Sequence, residues 1–246
     1  MQTLIQKEWD GPNGVHANFV FRPDTADENT INATFKEDEY HFVNFPPAPG
    51  EWMIDAGGYV GSTALLYAKL FPSARVICIE PLPENLEIIE NNVRRNGLQD
   101  RITILPLALS GVDGEIVKIF YRDDSLVGKI HRFVGSAYMN YHETVSDEFA
   151  AVKSVSLNKI IDVYKIPSIR LLKMDIEGSE NAALQGMTIE TLQKIQTIVG
   201  EYHNVDRPGE IAPRTLLYRL VEQMFEDKST QKETETWGAF LFEKRR

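Results

Sequence analysis

The segment from Trp52 to Phe71 reads WMIDAGGYVGSTALLYAKLF, an apolar run, a turn carrying Gly57, Gly58 and Gly61, and then a helical pattern. The same grammar repeats at once. RVICIE (Arg75 to Glu80) is a second strand, PENLEIIENNVRRNG (Pro83 to Gly97) a helix with Pro at its start and Gly97 at its end, and ITILPLAL (Ile102 to Leu109) a third strand. These apolar runs lack polar alternation, so the strands are expected to be buried on both faces, in a parallel sheet covered by helices. RLLKMD (Arg170 to Asp175), TIVGEYH (Thr197 to His203) and GAFLFEK (Gly238 to Lys244) extend the sheet, the last after a helix RTLLYRLVEQMF (Arg214 to Phe225). The fold class is α/β, with a doubly wound sheet.

Residues 1–50 read as an N-terminal extension packing on the core, and residues 51–246 as the main domain. Within that domain, residues 121–150 (Tyr121 to Ala150) are rich in Asp, Gly, His and Tyr. Flanked by strand-like EIVKIFY and AVKSVSL, the stretch reads as an inserted, lid-like loop on a hairpin. Composition narrows the partners. With 26 Lys+Arg against 36 Asp+Glu the net charge is −10, which argues against a nucleic-acid binder. No apolar run is long enough to cross a bilayer, and MQTLIQKEWDG lacks the form of a secretory signal, so no membrane partner and a cytoplasmic location are expected. The one cysteine, Cys78, excludes an intrachain disulfide and a Cys-rich metal site.

In an open α/β sheet the first strand-to-helix turn lies at the carboxyl edge, where ligands bind. A tight turn needing glycine for geometry alone is the plain alternative. Glu80 argues for a ligand, because an acid ending the second strand can accept hydrogen bonds from the ribose hydroxyls of an adenosine cofactor, with Leu82 against the adenine. For NAD the Gly pattern falls on Ala56, Gly58 and Gly61, and its first Gly is missing. For S-adenosylmethionine (SAM) the pattern of an acid, one residue, Gly, three residues and Gly is filled by Asp55, Gly57 and Gly61. A carboxylate there suits the ammonium and sulfonium of SAM and would repel a pyrophosphate.

WMIDAGGYVGSTALLYA, VICIEPLPENLEIIENN and LLKMDIEGSENAALQGM together resemble the FkbM-type family of class I SAM-dependent methyltransferases. DTADENTINATFKEDEYHF (Asp24 to Phe42) resembles that family's lead-in, and the likeness runs from about Asp24 to Lys244. It implies a Rossmann-like sheet of seven strands with the last antiparallel. It also implies methyl transfer to oxygen, with a small-molecule or glycan hydroxyl as acceptor. Asp55, Gly57 and Gly61 would hold the methionine end of SAM and Glu80 its ribose, with Leu107 and Ala108 on the adenine side.

Transfer to a hydroxyl needs a base or a metal at the acceptor oxygen. Asp175, Glu177 and Glu180 follow the fourth strand, while Glu201 and His203 share one face at the end of the fifth. The acids before AALQG could instead cap a helix. His203 is expected to be the catalytic base, since an imidazole titrates near neutrality, with Asp175 and Glu201 orienting it or the substrate. Alternatively Asp175, Glu201 and His203 gather a divalent cation such as Mg²⁺. His131, Arg132, Tyr138, Tyr141 and His142 are acceptor contacts on the lid or plain loop residues. Two other functions stay open: an NAD-dependent oxidoreductase on a similar sheet, and a non-catalytic SAM-binding domain in which Asp175 and His203 are dispensable.

Overall fold

The computed structural model describes residues 4–124, 129–136, 145–203, 224–229 and 237–245. An antiparallel hairpin, β1 (Ile5–Asp10) and β2 (His16–Phe21), leads into α1 (Asp27–Ile31) and a π-helical turn, Asn32–Lys36. Then come β3 (Glu51–Ala56), α2 (Ser62–Leu70), β4 (Arg75–Ile79), α3 (Pro83–Arg95) and β5 (Ile102–Leu105). The chain next leaves the central layer through β6 (Ala108–Leu109), β7 (Ile116–Asp124), β8 (Lys129–Ser136) and β9 (Val145–Val155). It returns through α4 (Leu157–Tyr164), β10 (Ser168–Met174), α5 (Glu180–Gln185), α6 (Ile189–Lys194), β11 (Thr197–His203), β12 (Phe225–Asp227) and β13 (Trp237–Lys244).

The central sheet has seven strands in the order β12-β13-β11-β10-β3-β4-β5. The strands from β11 to β5 are parallel and β13 runs antiparallel to β11. Both faces are buried, as apolar runs without alternation require. Met53, Val76 and Cys78 point into one core with α2 and α3, while Ile54, Ile77 and Ile79 point into a second with α4 and α5. The strand order reverses at β3, which has β4 on one side and β10 on the other, and this opens a crevice at the carboxyl edge. Among the described residues no helix is long and apolar enough to cross a membrane.

Three sequence expectations change. ITILPLAL is two strands, because Pro106 has no N–H to continue the ladder after Leu105, and β6 joins a second sheet of order β6-β9-β7-β8. Much of residues 121–150 is also strand: β7 pairs with both β8 and β9, and the Gly, Asp and His content had suggested a loop. The side chains of His131 and Arg132, and all of Tyr138, Tyr141 and His142, lie outside the described residues. Phe225 opens β12, pairing with Lys244, where a helix end was expected; the rest of that helix lies outside the described residues.

The N-terminal residues complete one face of the core. Trp9, Phe19, Phe35 and Phe42 pack into the cluster that holds Leu65, Leu66 and Val93. The outer edge of β2 is closed by α3: Asn92 Oδ1 accepts from Val20 N at 2.7 Å, and its Nδ2 donates to Val20 O at 3.1 Å and Val60 O at 2.9 Å. Asn92→Leu leaves those three buried backbone groups unpaired, at ~1–3 kcal/mol each, so it should lower stability by about 3 kcal/mol or more. A parental midpoint in urea unfolding would show that the edge is held otherwise.

Candidate active site

The Gly turn sits between two strand ends that nearly touch. Gly57 N and Gly58 N both donate to Ile79 O at 3.0 Å, and Asp175 N donates to Ala56 O at 3.1 Å. Gly57 has φ +86°, and a Cβ there would lie 1.8 Å from Asp175 O. Only glycine fits that crossing. Gly61, at φ +81°, is the N-cap of α2.

Above the turn opens a cavity of about 460 Å³, within the range of small-molecule sites. Its walls come from the ends of β3, β4, β5, β10 and β11 and from the N-terminal helical segment. Gly57, Glu80, Leu107, Ala108, Asp175 and Glu201 all line it. Six expected site residues, from five strand ends and the turns after them, therefore meet in one place. Gly61 lies just behind, starting the helix.

Glu80 is held from three sides. Its Oε1 accepts from Leu82 N at 3.0 Å and Asn85 Nδ2 at 3.1 Å, and its Oε2 from Tyr59 N at 2.8 Å. Burial nonetheless pushes its carboxyl up to about 7. Asp55 is not on the cavity wall. It lies fully buried beneath the turn, with Lys173 Nζ 3.6 Å from its Oδ1, and burial pushes it up to about 6 against the pull of that ammonium. The expected direct hold on the methionine end is thus replaced by a carboxylate that backs the turn.

Sequence reasoning missed Lys173, although a lysine inside the apolar run RLLKMD was a visible signal. It is buried, lines the cavity, donates to Gly57 O at 2.8 Å and lies 3.8 Å from Asp175 Oδ2. Burial alone would lower its pKa, but Asp175 and Asp55 outweigh this and raise it. Glu39 and Tyr40, on the N-terminal side of the cavity, were also missed.

At the far end Glu201 faces the cavity beside Asp175, and burial followed by the Asp175 charge pushes it up to about 7. His203 does not line the cavity among the described residues. Its Nδ1 meets Glu180 Oε1 at 3.2 Å and its Nε2 lies 3.7 Å from Glu201 Oε2. Burial pulls it down, yet the hydrogen bond and charge of Glu180 win and push it up to about 9. At neutral pH it is an imidazolium with no lone pair to take a proton, which corrects the expected base. Glu180 also accepts from Ile176 N and Gly178 N, at 2.9 Å and 3.1 Å, so it ties the loop after β10 to its own helix. For a cation, the atoms within 4.8 Å of one another belong to Asp175, Glu177 and His203, and Glu201 is outside that group. A carboxylate on one ring nitrogen is also how metal-bound histidines are oriented, so Asp175, Glu177 and His203 are the residues that would hold a cation, and no step is derived through one.

A doubly wound sheet with this Gly turn, a carboxylate ending the second strand and a crevice where the strand order reverses defines a Rossmann-like enzyme of the nucleotide-cofactor type. The chain matches the methyltransferase FkbM domain over residues 55–227 and belongs to that family, with SAM as its methyl donor. It is 25% identical to methyltransferase sdnD of Sordaria araneosa over 213 residues, covering 79% of this chain and 78% of that one. It is 26% identical to the 31-O-demethyl-FK506 methyltransferase FkbM of Streptomyces tacrolimicus over 177 residues, 64% of this chain and 67% of that one. The hexuronic acid methyltransferase AglP of Haloferax volcanii is 24% identical over 160 residues, 64% of this chain and 58% of that one.

Proposed function

We propose that this methyltransferase acts on a hydroxyl oxygen of a sugar or other small metabolite, with Glu201 as the group that takes the proton. The observation carrying this is positional: Glu201 stands on the cavity wall beside Asp175, at the carboxyl end of β11, while His203 is turned to Glu180 behind it. The FkbM and AglP relatives, whose names specify 31-O-demethyl-FK506 and hexuronic acid, support an oxygen acceptor.

The acceptor oxygen's electron pair forms the new O–CH₃ bond as the S–CH₃ bond breaks, and the sulfonium keeps that pair to become the neutral thioether of S-adenosylhomocysteine. The acceptor's proton passes to the Glu201 carboxylate. Much of the rate comes from aiming the oxygen at the methyl carbon, which is the work of the walls. His203, cationic and 3.7 Å from Glu201 Oε2, holds that carboxylate in place and favours its ionised form. Since only the ionised carboxylate accepts a proton, kcat/KM for the acceptor should climb as pH rises through about 7. A pH–rate profile flat between 6 and 8, or one rising only near 9, would contradict Glu201.

Glu80 is proposed to hold the ribose, its Oε2 having room for a further donor beside Tyr59 N. Hydroxyl donors stabilise the ionised carboxylate, so SAM should bind more weakly as pH falls below about 7 and release protons on binding near that pH. Calorimetry in buffers of different ionisation enthalpy reads this directly. Binding without proton release at pH 6.5 would remove Glu80 from the ribose.

A further inference from the structure

We propose that the N-terminal segment is a working part of the cofactor site: Arg22, just past β2, is a positioning residue that sets the Glu80 carboxylate through Asn85. The inference rests on the ribose role proposed for Glu80.

Arg22 is 2% exposed and Asp27 is completely buried, a costly place for an ion pair that apolar residues could replace without loss of stability. The guanidinium is used on every side. Nε and Nη2 donate to the two oxygens of Asp27 at 2.8 Å and 2.9 Å, and Nη1 donates to Asn85 Oδ1 at 2.9 Å. That last bond fixes a polarity. A guanidinium has donors only, so it holds the oxygen side of the Asn85 amide, which turns the amide nitrogen onto Glu80 Oε1 at 3.1 Å. Losing Arg22 removes the donor that holds the oxygen side of this amide, and an amide turned the other way would set its oxygen against the carboxylate, two acceptors face to face.

The same ion pair holds the other side of Glu80. The Arg22 guanidinium lies 5.5 Å from the centre of the Tyr59 ring, and the Asp27 carboxylate acts on the Tyr59 phenol from the same side. Tyr59, a non-glycine residue at φ +50°, gives the N–H that reaches Glu80 Oε2. With Oε1 taken by Leu82 N and Asn85, Oε2 is left as the oxygen open to a ribose hydroxyl. Ala26, Asn29, Thr30 and Thr34 of the same segment line the cavity, so the N-terminal residues both shape the wall and orient its acid.

The test is calorimetric titration of SAM into the full chain carrying R22K, E80A and R22K/E80A. Lysine keeps the charge beside Asp27 but cannot span Asp27 and Asn85 as a fork. R22K should raise the Kd for SAM by about tenfold, the scale of coupling within one hydrogen-bond network, yet change it by less than about twofold when E80A is already present. A similar loss in both backgrounds means Arg22 serves stability alone and overturns the proposal, as does parental binding by R22K. Parental binding by E80A is a different failure, because it removes the ribose role of Glu80 itself and the inference falls with it. Should R22K not fold, R22M/D27L removes both charges together and replaces it in each arm, with the same expected loss and the same overturning results.

Discussion

Replacing Glu201 with glutamine is expected to lower turnover by about 10²- to 10⁴-fold, the usual worth of a positioned acid or base, while SAM still binds with nearly parental affinity. Glutamine keeps the size of the side chain and loses its negative charge and its ability to take a proton. The split between binding and turnover is what identifies a proton acceptor, because loss of packing would weaken both. The chain's other candidate at that strand end gives the contrast. His203→Gln removes the cation beside Glu201 and leaves the buried Glu180 carboxylate with one partner fewer, so it should lower stability and shift the pH profile, with the Glu201 limb still present. A near-parental rate for Glu201→Gln at saturating acceptor would pass the role to Asp175, 29% exposed and on the same wall.

Gly57→Ala should be severely damaging for a change of one methyl group. The residue sits at φ +86°, a conformation that costs an L residue about 1–2 kcal/mol. The added Cβ would also lie 1.8 Å from the Asp175 carbonyl, and neither partner is a flexible side chain that can swing away. Only a parting of the β3 and β10 ends relieves the clash. The expected destabilisation is about 3–5 kcal/mol, the range of the most severe point substitutions. SAM binding should be lost with it, since Gly57 O also anchors Lys173 at 2.8 Å. Urea unfolding and calorimetry check both, and parental stability would mean that the two strand ends have slack the structure does not display.

The parts of this molecule governed by local pattern were legible before any coordinates. Strands buried on both faces announce themselves as unbroken apolar runs, and Glu80 was placed at its strand end by counting. Pairing partners far apart in sequence were not legible. The role of His203 turns on Glu180, 23 residues earlier, whose carboxylate makes the imidazole a cation. Asp55 fits the cofactor pattern in sequence, yet Lys173, brought alongside by the β3–β10 pairing, draws its charge beneath the turn. The strands within residues 121–150 were hidden because edge and hairpin strands tolerate the Gly, Asp and His that elsewhere mark loops. Arg22 left no sequence signal of its importance, since an isolated arginine after a strand is usually a solvated one.

Methyl-labelled SAM incubated with a panel of sugars, uronic acids and hydroxylated metabolites tests the central claim most directly, through the atom that carries the label. The account predicts a labelled methyl ether on one acceptor, formed one for one with S-adenosylhomocysteine and lost in Glu201→Gln. A label found on nitrogen or carbon, or transfer to oxygen that persists undiminished without the Glu201 carboxylate, would contradict it.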